Sequence, residues 1–320
     1  MYVITGGSGF IGSHLARALL ARGEQVRIID DLSTGRLDNL EGIRDDVDLV
    51  EGDIRDRDLV ERALRSADVV LHQAALPSVP RSIADPRDCL DANVMGTLTV
   101  LEAARDAGVA RVVQASSSSV YGDTPVLPKA TSMRPRPRSP YAVAKLSAET
   151  LGQAFTASYG LDVVALRYFN VFGPRQDPHS AYAAVIPRFI TAVLGGHPVT
   201  VFGDGNQSRD FTYIDNVVDA NLRAAEQPGV GGEVFNVATG HAVSVNDMLA
   251  TICRQLDRHV EAVFEPPRVG DVRDSLADIE PAERLLGYHA EVDFEEGIRR
   301  TIASFTDGSA GLVASAHGAA

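Results

Sequence analysis

The chain is poor in cysteine, in basic runs and in long apolar stretches, and each shortage removes a class of function. Cys89 and Cys253 are the only two cysteines in 320 residues. They stand far apart without neighbouring histidines, so neither a disulfide framework nor a zinc site is expected, and both read as buried small hydrophobes. Acidic residues outnumber basic ones by 43 to 30, the net charge is −13, and no run of Lys and Arg gathers anywhere. That balance argues against tracking a phosphate backbone or an anionic membrane surface, so neither nucleic acid nor membrane is expected as a partner. No apolar stretch reaches spanning length, and Met1 leads almost directly into a strand without a basic and apolar leader. The cytoplasm is the expected address.

What is present is an alternation. Apolar runs at Tyr2 to Thr5, Gln25 to Asp30, Val47 to Glu51, Val69 to Gln73, Arg111 to Ala115 and Val163 to Arg167 are separated by helix-length segments such as Ile11 to Arg22 and Leu90 to Asp106. Continuously apolar strands divided by helices predict an α/β fold, a doubly wound parallel sheet covered on both faces. After about residue 168 glycine and proline punctuate more often, and such loops usually carry substrate contacts. A strand-like Asp210 to Ile214 followed by a helical pattern reads as a return to the first unit. The expected division is a nucleotide-binding domain over 1–167 with a return element at about 210–235, and a smaller α/β substrate-binding domain over 168–209 and 236–306. Residues 307–320 are small and low in complexity and read as a frayed tail without function.

Thr5-Gly6-Gly7-Ser8-Gly9-Phe10-Ile11-Gly12 sits where the first strand becomes the first helix, and Gly7, Gly9 and Gly12 satisfy GxGxxG. The early glycines allow a tight turn and let backbone N–H groups approach a pyrophosphate; the last permits close helix–sheet packing. The second strand ends at Asp30-Asp31, where a carboxylate can accept from the adenosine ribose hydroxyls and would repel a 2′-phosphate. The conjunction predicts NAD rather than NADP.

Tyr141-Ala142-Val143-Ala144-Lys145 places a phenol and an ammonium one helical turn apart on a shared face. A free tyrosine titrates near 10 and is a poor base at neutral pH. A cation roughly 6 Å away at an effective dielectric near 20 is worth about 2.8 kcal/mol, or about two pKa units. Lys145 is therefore expected to stabilise a Tyr141 phenolate.

With Gly52-Asp53-Ile54, His72-Gln73-Ala74-Ala75, Asn93 to Thr97, Ser116 to Gly122, Arg167 to Gly173, Arg209-Asp210-Phe211 and Arg268 to Asp271 in order, the chain resembles the extended short-chain dehydrogenase/reductases. Within them it is similar to the UDP-hexose 4-epimerases, from Tyr2 to about Phe305. The resemblance implies a Rossmann fold with tightly held NAD, contacted by Gly6, Gly9, Phe10, Ile11, Gly12, Asp30, Asp31, Ser33, Thr34, Gly35, Ala115, Tyr141 and Lys145. It further implies that Asp53 and Ile54 flank the adenine, Ala74 and Ala75 line the dinucleotide, Asn93 lies near it, and Tyr168 meets the nicotinamide ribose side. The third catalytic hydroxyl falls on Ser117 with Ser118 a second sugar contact, although the serine run leaves Ser116, Ser117 and Ser118 open to a shift of one.

For a UDP-sugar substrate the resemblance puts Asn170 and the arginines Arg209 and Arg268 on the diphosphate, Val201 and Phe202 on the uracil, and Asp271 on the uridine ribose. Charge logic agrees, since a diphosphate needs cations and arginine binds its oxygens bidentately. The implied reaction has Tyr141 take the C4 hydroxyl proton while C4 gives hydride to NAD; the keto ring then turns, and hydride returns to its other face. Sugar selectivity is implied at Pro77, Ser78, Asn170, Gln176, Ala184 and Ser275. Ser275 leaves room for an N-acetyl group where a bulky residue would not, while Pro77 departs from the glycine of N-acetyl-accepting relatives. UDP-GlcNAc/UDP-GalNAc and UDP-Glc/UDP-Gal are the expected pairs.

UDP-glucuronate epimerisation is the alternative. It calls for a cation after Gly173-Pro174-Arg175-Gln176, where Asp177-Pro178-His179-Ser180 follows, leaving His179 or Arg175. A 4,6-dehydratase would carry Asp-Glu where Ser118-Ser119 stands. A non-catalytic NAD(H)-binding sensor on the same fold is the alternative of another class. A homodimer through a four-helix bundle of the Asp91 to Asp106 and Tyr141 to Tyr159 helices is implied, with Ala142, Leu146 and Leu151 either exposed for it or packed inward.

Overall fold

Six of the apolar runs become parallel strands: β1 (Tyr2–Thr5), β2 (Val26–Asp30), β3 (Asp48–Glu51), β4 (Val69–His72), β5 (Arg111–Ser117) and β6 (Val163–Tyr168). The computed structural model describes residues 1–178, 185–267 and 273–307. A seventh strand, Val234–Val237, completes the sheet, whose order is Val234–Val237, β6, β5, β4, β1, β2, β3. Chain order reverses at β1, which pairs with both β2 and β4, so a crevice opens beyond the carboxyl ends of β1 and β4. The doubly wound parallel sheet is thus present.

Its strands are apolar throughout because both faces are covered. Successive side chains alternate between two layers: Ile4, Ile28, Val113 and Val164 pack into the core with Leu15, Leu19 and Val217. Val3, Ile29, Val112 and Val163 pack with Val60, Leu64, Val100 and Leu101 on the other side. β5 and β6 run further than the apolar pattern suggests, because pairing continues through Ser116↔Arg167 and Ser117↔Tyr168.

The segment expected as one helix from Leu90 to Asp106 is instead a short helix (Pro86–Leu90), a π-helical turn (Asp91–Met95) and a helix (Gly96–Ala107). The π turn carries Asn93 inward, where its side chain accepts from Leu76 N at 2.7 Å and donates to Leu76 O at 3.2 Å. Cys253 is only half-buried, unlike Cys89. Ala142 is buried, while Leu146 and Leu151 are partly buried and pack against the Val120/Tyr121/Phe169 cluster and the second layer respectively.

After β6 the chain leaves the sheet and comes back through the helix Ile214–Glu226 and the strand Val234–Val237, which pairs with β6 from Val234↔Ala165. Three two-stranded pairs surround this path: Val171–Phe172 with Thr212–Tyr213, Ser208–Asp210 with Ala242–Ser244, and Val199–Phe202 with Ala262–Glu265. Asp210 joins the segments around the first two pairs. It is fully buried and its carboxylate accepts from Thr239 N and Oγ1, Gly240 N and Ala277 N, while its carbonyl accepts from Asn170 Nδ2 at 3.1 Å. The loops bearing Asn170, Arg209 and Ser275 are fixed over the carboxyl edge of the sheet by that one side chain and its neighbours.

Candidate active site

One cavity of 1520 Å³ fills the crevice, running from the glycine turn past Asp30 and Ile54 to Tyr141, Gln176 and Ser275. A single drug-sized ligand occupies about 300–1000 Å³, so this space suits two nucleotide-sized ligands end to end.

At the dinucleotide end Gly6 adopts φ +69°, and a Cβ there would stand 2.7 Å from Ala74 N. A Cβ on Gly12 would lie 2.2 Å from Gly6 O, which explains the close helix–turn contact. The helix Phe10–Ala21 begins at Gly9 with no side-chain cap and no acidic residue in its first turn. Its positive end is thus left for an anion. Asp30 is buried; its two oxygens accept from Ser8 N at 2.8 Å and Leu32 N at 2.9 Å. It therefore shapes the glycine turn and retains further acceptor capacity toward the cavity, which Asp31, Ser33, Thr34 and Gly35 also line. Burial raises the Asp30 carboxyl above the usual range. Asp53 is held low chiefly by hydrogen bonds from the Arg55 side chain, so its carboxylate is already engaged while Ile54 faces the cavity. Glycines, carboxylates and an unneutralised helix end fit a dinucleotide.

Asn93 does not itself line the cavity; the π turn carries it inward, where it fixes Leu76, which does. Gln73 and His72, neither singled out from sequence, do more. Gln73 lines the cavity and accepts from the Tyr168 hydroxyl at 3.2 Å, a hydroxyl that also accepts from Asn221 Nδ2 at 2.9 Å. His72 bridges Thr5 Oγ1 at 2.7 Å and Thr97 Oγ1 at 2.9 Å, and Thr5 Oγ1 in turn accepts from Ala74 N. Burial, with help from Lys145, pushes the His72 imidazole down to about 3.

Tyr141 lies in the first turn of the helix Pro140–Tyr159, capped by Ser139. Its N–H donates to Ser82 Oγ at 3.1 Å, and Ser117 is the neighbour that favours its phenolate. Lys145 Nζ is 6.0 Å from the Tyr141 ring centre and donates to Ala115 O at 3.0 Å. The expected lowering of the phenol is not realised in the chain by itself. Burial dominates and pushes Tyr141 up to about 12, opposed by Ser117, while Lys145 is itself pushed down by burial to about 8. The serine run sorts itself by contacts. Ser116 bonds Glu149, Ser117 meets Tyr141 and accepts from Ser119 N, and Ser118 lines the cavity nearby.

On the substrate wall the cavity is lined by Pro77, Ser78, Asn170, Gln176, Arg209 and Ser275. Ser78 caps a short helix by accepting from Arg81 N. Asn170 adopts φ +35°, and Gln176 donates to Val171 O at 3.0 Å while its buried Oε1 has no hydrogen-bond partner. Arg209 Nη1 donates to Ser208 O and Arg273 O, both at 2.8 Å. Val201 and Phe202 do not line the cavity; Val201 sits in the main core beside Val199 and Ile190. Arg175 is exposed and also outside the lining. His179, Ser180, Ala184, Arg268, Asp271 and the tail from 308 lie outside the described residues. Among the described residues no group of three or more His, Cys, Asp or Glu could hold a metal ion.

A family model described as the NAD dependent epimerase/dehydratase family matches residues 2–238. The UDP-glucose 4-epimerase of Mycolicibacterium smegmatis is 41% identical over 315 residues, covering 96% of this chain and 99% of that protein. Among solved structures, the UDP-N-acetylglucosamine 4-epimerase of Methanobrevibacter ruminantium, in complex with UDP-N-acetylmuramic acid, superposes with a TM-score of 0.92 at 41% identity, covering 96% and 98% of the two chains. The UDP-glucose 4-epimerase of Thermotoga maritima with UDP-glucose gives 0.92 at 38% identity, covering 96% and 99%. The glycine turn, the carboxylates at its far end and the Ser117–Tyr141–Lys145 cluster thus have a common explanation: the chain belongs to the NAD-dependent epimerase/dehydratase family.

Proposed function

We propose that the protein is a UDP-hexose 4-epimerase that inverts C4 through a 4-keto sugar and retains its NAD. The observation that carries this is the placement of Tyr141, Ser117 and Lys145 midway along one cavity that has the dinucleotide turn at one end and Asn170, Gln176, Arg209 and Ser275 at the other. Gly6, Gly9, Gly12, Asp30 and Asp31 hold the cofactor, which when bound supplies a hydride acceptor and a positive charge. Tyr141 accepts the C4 hydroxyl proton as a phenolate, Ser117 hydrogen-bonds the same oxygen, and Lys145 supplies positive charge to the site. Arg209 and Asn170, with Arg268, anchor the diphosphate, so the sugar ring is free to turn between the two faces. Ser118-Ser119 in place of an acid pair gives no route to dehydration.

Room beside Ser275 supports UDP-GlcNAc/UDP-GalNAc, together with UDP-Glc/UDP-Gal. Arg175 is outside the cavity lining, so UDP-glucuronate would have to rely on His179 for its carboxylate. Replacing Tyr141 by Phe is expected to lower kcat by about 10²–10⁴ with UDP-sugar binding intact; unchanged turnover would remove the assignment. We read the working unit as a cytoplasmic homodimer, with Met95 and Val143 exposed on the helices that would pair. A sedimentation mass of one chain would remove that reading. Among the described residues no helix is long and apolar enough to cross a membrane.

A further inference from the structure

Tyr141, Lys145 and Glu149 follow one another at successive turns of the helix Pro140–Tyr159, and three consecutive residues at the end of β5 grip them one by one. The Ala115 carbonyl accepts from Lys145 Nζ, the Ser116 hydroxyl donates to Glu149 Oε1, and Ser117 is the neighbour that favours the Tyr141 phenolate. Glu149 is 2% exposed, and Arg167 from β6, 4% exposed, reaches it bidentately with Nε to Oε1 at 2.9 Å and Nη2 to Oε2 at 2.8 Å. The Arg167 guanidinium also lies over the Tyr121 ring, 4.8 Å from its centre. A buried ion pair must overcome a large desolvation penalty, and an apolar pair of similar volume is often as stable or more so. Fold stability alone gives little reason for one directly behind the reacting tyrosine.

The surroundings of Lys145 give a reason. Cys89 faces it from the helix Pro86–Leu90, but burial raises that thiol and keeps it neutral at ordinary pH. His72 faces it from β4, and burial leaves its imidazole neutral as well. Tyr141 is a neutral phenol in the chain by itself, and Arg167 is matched to Glu149. Burial drives Lys145 down to about 8, and Cys89 and Glu149 oppose this; with the Cys89 thiol neutral, what remains is Glu149, one helical turn along the same face and ion-paired to Arg167.

We propose that Glu149 is a positioning residue for the C4 oxidation: its carboxylate keeps Lys145 charged beside Tyr141, and through Ser116 it fixes the end of β5 so that Ser117 meets the phenol. The proposal rests on the epimerase reading, and its test separates the two. Lys129 and Lys145 are the only lysines in the chain, so protein carrying isotope-labelled lysine gives two side-chain NMR signals, assigned with Lys145→Met. In Glu149→Gln the Lys145 midpoint is expected to fall by about one pH unit or more. The sign follows from removing an anion that favours the ammonium. The alkaline limb of kcat moves down with it, while KM for the UDP-sugar stays within about twofold, as expected for a group that acts on the transition state and not on binding.

The doubly neutral Glu149→Gln/Arg167→Gln leaves no unpaired buried charge, so it recovers the thermal stability lost in the single variant, while its Lys145 midpoint rises only by the share due to the Arg167 cation and stays below that of the wild type. A merely structural Glu149 would show both recovering together. Ser116→Ala cuts only the hydroxyl link and is expected to lower kcat about tenfold with the Lys145 midpoint unmoved. A midpoint unchanged in Glu149→Gln and in the double variant, or a Ser116→Ala enzyme of full kcat, overturns the proposal. Because the midpoint is read without turnover, wild-type protein that turns over no UDP-hexose but shows the expected shifts would count against the epimerase reading alone.

Discussion

On the proposed reading, Ser275 would sort sugars by a single side chain. It is 9% exposed, lines the cavity, and is tied by its N–H to Ser208 O at 3.1 Å. That backbone bond fixes the loop, so the side chain alone sets the width there. Ser275→Tyr is expected to lower kcat/KM for UDP-GlcNAc by at least about tenfold while sparing UDP-Glc, because an overfilled wall costs roughly 1–3 kcal/mol. Competition between the two substrates measures it, and equal losses for both would show that Ser275 does not sort them. Tyr141 carries a different lesson at this scale. Its partner at the next turn is legible from spacing, but the sign of its shift is not, because burial of the phenol outweighs the help it receives from Ser117.

At the scale of elements, β4 is the part whose chemistry is hidden in the fold. It ends in His72, whose two nitrogens are both taken by threonines, one on β1 and one on the helix Gly96–Ala107. With the folded imidazole at about 3 and an unfolded value near 6.5, the unfolded chain binds more protons between those limits. The stability this group contributes is complete above about 6.5 and is lost as pH falls toward 3, at about 1.4 kcal/mol per pH unit. Urea unfolding at pH 7.5 and pH 5 should therefore show wild type losing about 2 kcal/mol more than His72→Gln. Equal losses would mean that His72 is not buried neutral. The strands and the glycine turn are readable in the sequence because continuous apolar runs and a local turn leave short-range marks. Asn93 escapes such a reading since a π turn changes which face it occupies, and Val201 since an apolar strand residue can face the core as readily as a ligand. Asp210 and Glu149 act on partners 29 to 67 and 18 to 33 residues away, distances over which spacing carries no signal.

For the whole molecule, the sheet sets one end of the cavity and the loops over its carboxyl edge set the other, with the Pro140–Tyr159 helix carrying the reacting groups between them. On the proposed reaction the ring is oxidised and reduced at the same carbon without leaving that cavity, so the hydride removed would be the hydride returned. The most direct test is to incubate the purified protein with UDP-GlcNAc, and separately with UDP-Glc, without added NAD or any other oxidant, and to follow the sugar ring protons by NMR. The expected result is approach to an equilibrium mixture of the C4 epimers over many turnovers, with the NAD released on denaturation still oxidised. No inversion at C4, or inversion that stops once an added oxidant is exhausted, would contradict it.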